Sequence, residues 1–199
     1  EPAYVRWPAW SPDGQRIVYS WQPRQAGYAF AGGPVASMTE LRWIPADGGD
    51  ARTIVDATSP PSLVSGGDDA RVWFTERVPG APGFQADATH ALVSVRFDGS
   101  EKRTHAKITS ANAGTPVVHV APDERGMLVM DRDDLYLLPL TAAGPDGLAV
   151  NLKSPSVPLR RITTQGANYA QWVDGGAGVA WSFADDYYRA GRADLMASA

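Results

Sequence analysis

Three histidines, His90, His105 and His119, are the only imidazoles in the chain, and cysteine is absent. They stand 15 and 14 residues apart with no acidic partner at ligand spacing, so they do not form the clustered nitrogen and carboxylate set that a zinc site needs. Each is expected to be a strand or loop residue. No Gly-x-Ser-x-Gly elbow, His-x-His or His-Glu-x-x-His pair, Walker loop or Gly-x-Gly-x-x-Gly turn occurs. No catalytic and no metal-ligating residue is therefore expected within these residues. Two acidic stretches remain. Asp131-Arg132-Asp133-Asp134 has the carboxylate density that a hard cation prefers, but it lacks the glycine and terminal glutamate of an EF-hand loop, which favours a charged turn. Asp185-Asp186-Tyr187-Tyr188-Arg189 follows an apolar run and invites the same turn reading. Its alternative is a mouth that lines a substrate entrance, with Asp185, Tyr187, Tyr188 and Arg189 as the binding candidates.

The elements that would position these residues are strands. Twenty glycines and sixteen prolines leave almost no window with the apolar spacing of an amphipathic helix. Short β-branched, aromatic and aliphatic runs recur instead at 16–21, 71–75, 91–97, 116–120, 126–130, 135–140 and 178–183, bounded by Gly, Pro, Asp and Ser. A 44% apolar, 20% charged composition is that of an ordinary globular protein. The net charge of −4 is made of scattered signs, which argues against a nucleic-acid or anionic-membrane surface. No run approaches the roughly 18–20 apolar residues of a membrane span.

These strands belong to a repeat. Trp10-Ser11-Pro12-Asp13-Gly14 leads into Ile17-Val18-Tyr19; the same register places Asp68 before Val72-Trp73-Phe74, Pro122-Asp123 before Met127-Leu128-Val129, and Trp172 before Val179-Ala180-Trp181. The spacing is 55, 55 and 52 residues. Proline fixes φ at the turn, Asp bonds amides beyond it and Gly takes positive φ, so the chain reverses just ahead of each apolar strand. A second hairpin follows the first two copies through Asp47-Gly48 and Asp98-Gly99. In the third copy an insertion near 141–158 replaces that turn. The expected unit is two hairpins, hence four antiparallel strands, with units near 4–58, 59–113, 114–166 and 167–199, and with Ile17, Val72, Met127 and Val179 at equivalent buried positions. Trp10 and Trp172 share a repeat position, which predicts packing between units. Trp73 and Trp181 lie within the apolar strands. Trp7, Trp21 and Trp43 would form a carbohydrate or peptide platform only if they shared one surface.

The Trp10-Ser11-Pro12-Asp13-Gly14 element before Arg16-Ile17-Val18-Tyr19 resembles the blade signature of TolB-type, WD-like β-propellers. The fold class is then all-β, with four-stranded propeller blades. From Leu135 to Ser182 the chain more narrowly resembles the propeller of metal-dependent amidohydrolases: Leu135-Tyr136-Leu137-Leu138-Pro139-Leu140, an insertion, Arg160-Arg161-Ile162-Thr163, then Gly166 through Trp172 and Val179 through Ser182. Propellers close with about 4 to 8 blades. Three units and the opening of a fourth are an incomplete ring, so the expected partners are further blades or a catalytic domain, in the same chain or another. The resemblance implies a non-catalytic scaffold, gate or binding segment of a bacterial hydrolase, periplasmic or exported, whose divalent metal, usually zinc, would be held outside these residues. It leaves open a TolB-like interaction module and the gating propeller of a prolyl-oligopeptidase-like peptidase.

Overall fold

A computed structural model of the chain describes residues 3–11, 13–23, 39–57, 62–63, 71–78, 88–112, 114–141 and 143–197. They form four sheets. The first holds β1 (Ala3–Trp10), β2 (Arg16–Pro23), β3 (Thr39–Pro45) and β4 (Arg52–Ala57), in that order. The second holds β5 (Ser62–Leu63), β6 (Arg71–Arg77), β7 (Thr89–Arg96) and β8 (Arg103–Thr109). In the third, β9 (Val117–Val120), β10 (Gly126–Asp131) and β11 (Asp134–Pro139) are followed by β13 (Arg160–Arg161). The fourth has β14 (Asn168–Val173), β15 (Gly178–Phe183) and β16 (Asp186–Gly191), and the short helix α1 (Arg192–Ala197) follows it. Neighbouring strands within each meander are antiparallel. This is the all-β architecture of incomplete propeller blades.

The repeated turn has a local cause. Ser11 donates its hydroxyl to Asp13 Oδ1 at 2.6 Å and accepts the Arg16 amide at 2.9 Å, while the Gln15 amide binds the same Asp13 oxygen at 3.0 Å. In the third blade Asp123 accepts the Arg125 amide at 2.9 Å. Gly14, Glu124 and Gly176 hold the same register position and all have positive φ. The second copy of the turn, 65–70, and Pro12 in the first lie outside the described residues.

Strand β12 (Leu148–Asn151) departs from the expected pattern. The 141–158 insertion, expected as a plain interruption of the third unit, crosses to the second sheet and pairs in parallel with β8, Leu148 opposite Ala106 and Asn151 opposite Thr109. Val150 is buried beside Ile108. The four residues Leu148–Asn151 are too short to show a strand period by themselves; the pairing is fixed by the edge that β8 offers.

The core lies between blades. Calling the face toward the preceding blade leading and the other trailing, Val18, Leu41 and Ile54 on the trailing face of the first blade pack on Val72, Phe74, Val93 and Val95 of the second. Trp73, Leu92 and Ile108 trail from the second blade onto Met127, Val129, Tyr136 and Leu138 of the third. Leu128, Leu135 and Leu137 trail from the third onto Ala167, Ala170 and Val179 of the fourth. Successive strand residues point to opposite faces, and in the second and third blades both faces are covered, so their central strands are continuously apolar rather than alternating. Ile17, Val72, Met127 and Val179 all occupy the second strand of their sheet. The latter three are buried, whereas Ile17 is half-buried, since among the described residues no blade packs on the leading face of the first.

Candidate functional site

The hairpin of β15 and β16 carries the binding candidates read from the sequence. Its turn is shorter than expected: only Ala184 and Asp185 form it, and β16 starts at Asp186, because Tyr187 and Tyr188 are strand formers that pair with Ser182 and Trp181. The alternation of the strand divides the four candidates. Tyr188 stacks on Trp181, ring centroids 5.6 Å apart and planes at 9°, and its hydroxyl donates to Asp186 Oδ2 at 3.4 Å. Tyr188 borders a shallow groove of about 180 Å³ together with Thr163, Gly166, Trp181 and Phe183. Tyr187 and Arg189 lie on the opposite face, where Arg189 is ion-paired with Asp174, a contact that raises the guanidinium above its ordinary range. Asp185 is exposed in the turn. The fold thus places Tyr188 at the edge of a concave surface.

The remaining chemistry-bearing residues are held by structural partners. Asp131 is fully buried and accepts Ser110 Oγ at 2.6 Å and the Ala111 amide at 2.7 Å, clamping the link between the second and third blades to the β10–β11 hairpin. Asp134 accepts Arg161 Nη2 at 2.7 Å. The Asp131–Asp134 stretch is therefore a tied turn. Among the described residues no group of three or more His, Asp or Glu side chains stands close enough to hold a metal ion, and these residues do not fit the zinc that the amidohydrolase resemblance implies. All three imidazoles are pushed below their usual range, each chiefly by burial.

The sequence reading passed over a feature of the first strands. In β1 the register slips between Arg6 and Ala9, and in β14 between Asn168 and Gln171, one extra residue each time. The extra residue is a bulge with positive φ at Trp7 and at Tyr169. Such a φ is uncommon outside glycine, and here it turns two aromatics outward at the same repeat position, Tyr169 to 86% exposure. The sequence signal was an aromatic three residues before Trp10 and before Trp172. The three less constrained tryptophans do not share one surface. Trp43 faces the second blade, donating to the Phe97 carbonyl at 3.2 Å, whereas Trp21 is paired with Glu40 on the other face under the Arg42 guanidinium, 3.6 Å from its ring centre.

The leading face of the first blade carries an exposed aromatic, Trp10. Trp10, Ile17, Tyr19 and Trp21 stand in register with Trp172, Val179, Trp181 and Phe183. In the fourth blade those positions meet the third blade; in the first, Trp10 is 64% exposed.

No family model matches the chain, and no curated protein matches it by sequence. Its fold is similar to that of solved structures. An oligogalacturonate lyase in complex with manganese superposes with a TM-score of 0.57 at 12% identity over 97% of this chain and 51% of that one. A putative TolB from Agrobacterium tumefaciens gives 0.52 at 16% identity over 89% and 54%. The periplasmic gluconolactonase of Pseudomonas aeruginosa gives 0.53 at 15% over 85% and 50%. The chain spans about half the length of each. At these identities the likeness is one of fold, and the fold is a β-propeller.

Proposed function

We propose that the chain is a non-catalytic propeller segment, a scaffold, gate or binding module of a larger bacterial hydrolase, and that further blades cover the leading face of its first blade. One observation carries this: Trp10 and Ile17 hold the positions that Trp172 and Val179 of the fourth blade pack against the third, yet among the described residues no blade packs on them, and Trp10 is 64% exposed. Apolar area of this kind is stabilising only when removed from water, at about 25 cal/mol per Å². The amidohydrolase assignment of the parent rests on the Leu135–Ser182 resemblance, and none of the solved structures named above is an amidohydrolase. Export to the periplasm rests on the TolB resemblance and accords with the periplasmic origin of one structural neighbour.

Iodide quenching tests the covered face. Subtracting a Trp10→Phe variant isolates the Trp10 signal, which is expected to be open to iodide in residues 1–199 and shielded in the longest native form. Equal quenching in both removes the proposal. The sequence encoded beyond residue 199 tests the class: a His-x-His strand supports the amidohydrolase, whereas a Gly-x-Ser-x-Gly elbow replaces it with a serine peptidase.

A further inference from the structure

Between the second and third blades, at the end that carries the repeated turns, lies a cavity of about 700 Å³. Its size is that of a small-molecule site, and it is separate from the Tyr188 groove and from the open face of the first blade. It is lined by Lys102 and the start of β8, Arg103 through His105, by Glu124 and residues 143–145, and by the nearly buried Trp73.

The walls are fixed. β12 is hydrogen-bonded in parallel onto β8, and Lys107 pairs with Asp146 at 3.1 Å, so the loop of the third blade is strapped to the strand of the second. Gly147, at φ +73°, makes this approach possible: a Cβ there would stand 2.8 Å from the His105 carbonyl carbon and 2.9 Å from the Ala106 nitrogen.

The base is polar and incompletely satisfied. Trp73 is 2% exposed, stacks on His105 with ring centroids 4.0 Å apart, and its buried indole N–H has no acceptor. His105 Nε2 lies 2.7 Å from Ser94 Oγ, which also accepts Arg71 Nε at 2.8 Å. In the arrangement with Ser94 accepting from Arg71 and donating to Nε2, Nδ1 carries the N–H of a neutral ring.

Basic side chains surround the cleft. Glu101 is the shared counterion of three guanidiniums, Arg96 at 2.7 Å, Arg103 at 3.3 Å and Arg71 at 3.6 Å. Lys102 is balanced by Glu76 at 2.6 Å. The side chains that line the cleft include two basic ones, Lys102 and Arg103, and one acidic one, Glu124, beside a buried indole N–H that lacks an acceptor. The same field acts on His105, which is pushed down to about 4, first by burial and then by Arg71 and Arg103.

From this geometry we infer that the cleft between the second and third blades is a binding site for a small organic carboxylate, held by Arg103 and Lys102 at the mouth, with Trp73 and His105 forming its donor-lined base. The inference is independent of what completes the propeller.

Titration of the full chain with citrate at constant ionic strength, followed by NMR of the Trp73 indole N–H and the His105 ring, tests it. The expected result is a saturable shift of both groups. In the Lys102→Gln/Arg103→Gln variant the affinity is expected to fall at least about tenfold, since both charged donors at the mouth are removed. Glycerol, as a neutral polyol, should shift neither. A titration with no saturable citrate shift overturns the site, and so does equal binding by the variant. Binding of inorganic phosphate with citrate silent overturns the carboxylate assignment.

Discussion

Trp172 donates its indole N–H to the backbone carbonyl of His119 at 2.9 Å, joining the first strand of the fourth blade to the first strand of the third. Its ring also packs against the apolar cluster between those blades and lies under Arg192, whose guanidinium carbon is 5.3 Å from the ring centre. Among the described residues the repeat partner Trp10 has no counterpart of these contacts and is 64% exposed.

Trp172→Phe should therefore cost about 1 kcal/mol, the net worth of one hydrogen bond. Trp172→Ala should cost about 3 kcal/mol, the lower end for a large aromatic because the ring is half-buried rather than enclosed. Trp10→Ala in residues 1–199 should leave stability within about 0.5 kcal/mol, as at an ordinary surface position. Urea unfolding of the three variants measures all three; a Trp172→Ala loss equal to that of Trp10→Ala would remove the packing role.

Asp131 makes the second test. Its carboxylate is fully buried and holds Ser110 Oγ, the Ala111 amide and, at 3.4 Å, Asn112 Nδ2. Removing it orphans donors in the link between two blades, each at about 1–3 kcal/mol. Asp131→Ala is expected to lose about 3 kcal/mol in urea unfolding, and amide exchange at Ala111 should rise more than at β15. Unchanged exchange at Ala111 would show that the clamp is not needed.

The repeat was legible because the same turn chemistry had to be solved in each blade, and β15 spans the 178–183 run read from the sequence. Ile17, Val72, Met127 and Val179 could be aligned by register alone; that Ile17 is the half-buried exception depends on a neighbour that spacing does not specify. β12 was not legible, since its partner is supplied by another blade and its four residues carry no period. Tyr188 was singled out for its composition, but its groove arises from Trp181 and Phe183 one strand away. The cleft beneath Trp73 was hidden for the same reason. His105 was judged by its distance from other histidines, whereas its chemistry comes from Arg71, Ser94 and Arg103, which β-pairing brings together.

Gly147→Ala tests the strap across the seam. The substituted residue would have to keep a positive φ, costing about 1–2 kcal/mol, and its Cβ would press on the β8 backbone. β12 is expected to detach before the sheet that bears it unfolds. Hydrogen exchange should rise at Leu148–Asn151 while β7 stays protected, and any change confined to β7 would contradict this.

The last prediction concerns pH and rests on His105. Its neutral ring is favoured by burial and by the nearby Arg71 and Arg103 charges, with Lys102, Glu101 and Glu124 also close to the cleft, and its pKa in the fold is about 4. In the unfolded chain it is about 6.5. Between these values the unfolded state binds a proton that the folded state refuses, so the stability due to the neutral ring is fully present above pH about 6.5. It is lost progressively as pH falls toward about 4. His90 and His119 are also lowered by burial and act in the same direction. The chain should therefore show a falling urea midpoint on acidification through that window. His105→Gln, which can still meet Ser94, should make the fall shallower without abolishing it. The His105 ring followed by NMR is expected to titrate near pH 4, and a midpoint near 6.5 would show that the ring is neither desolvated nor held in a positive field.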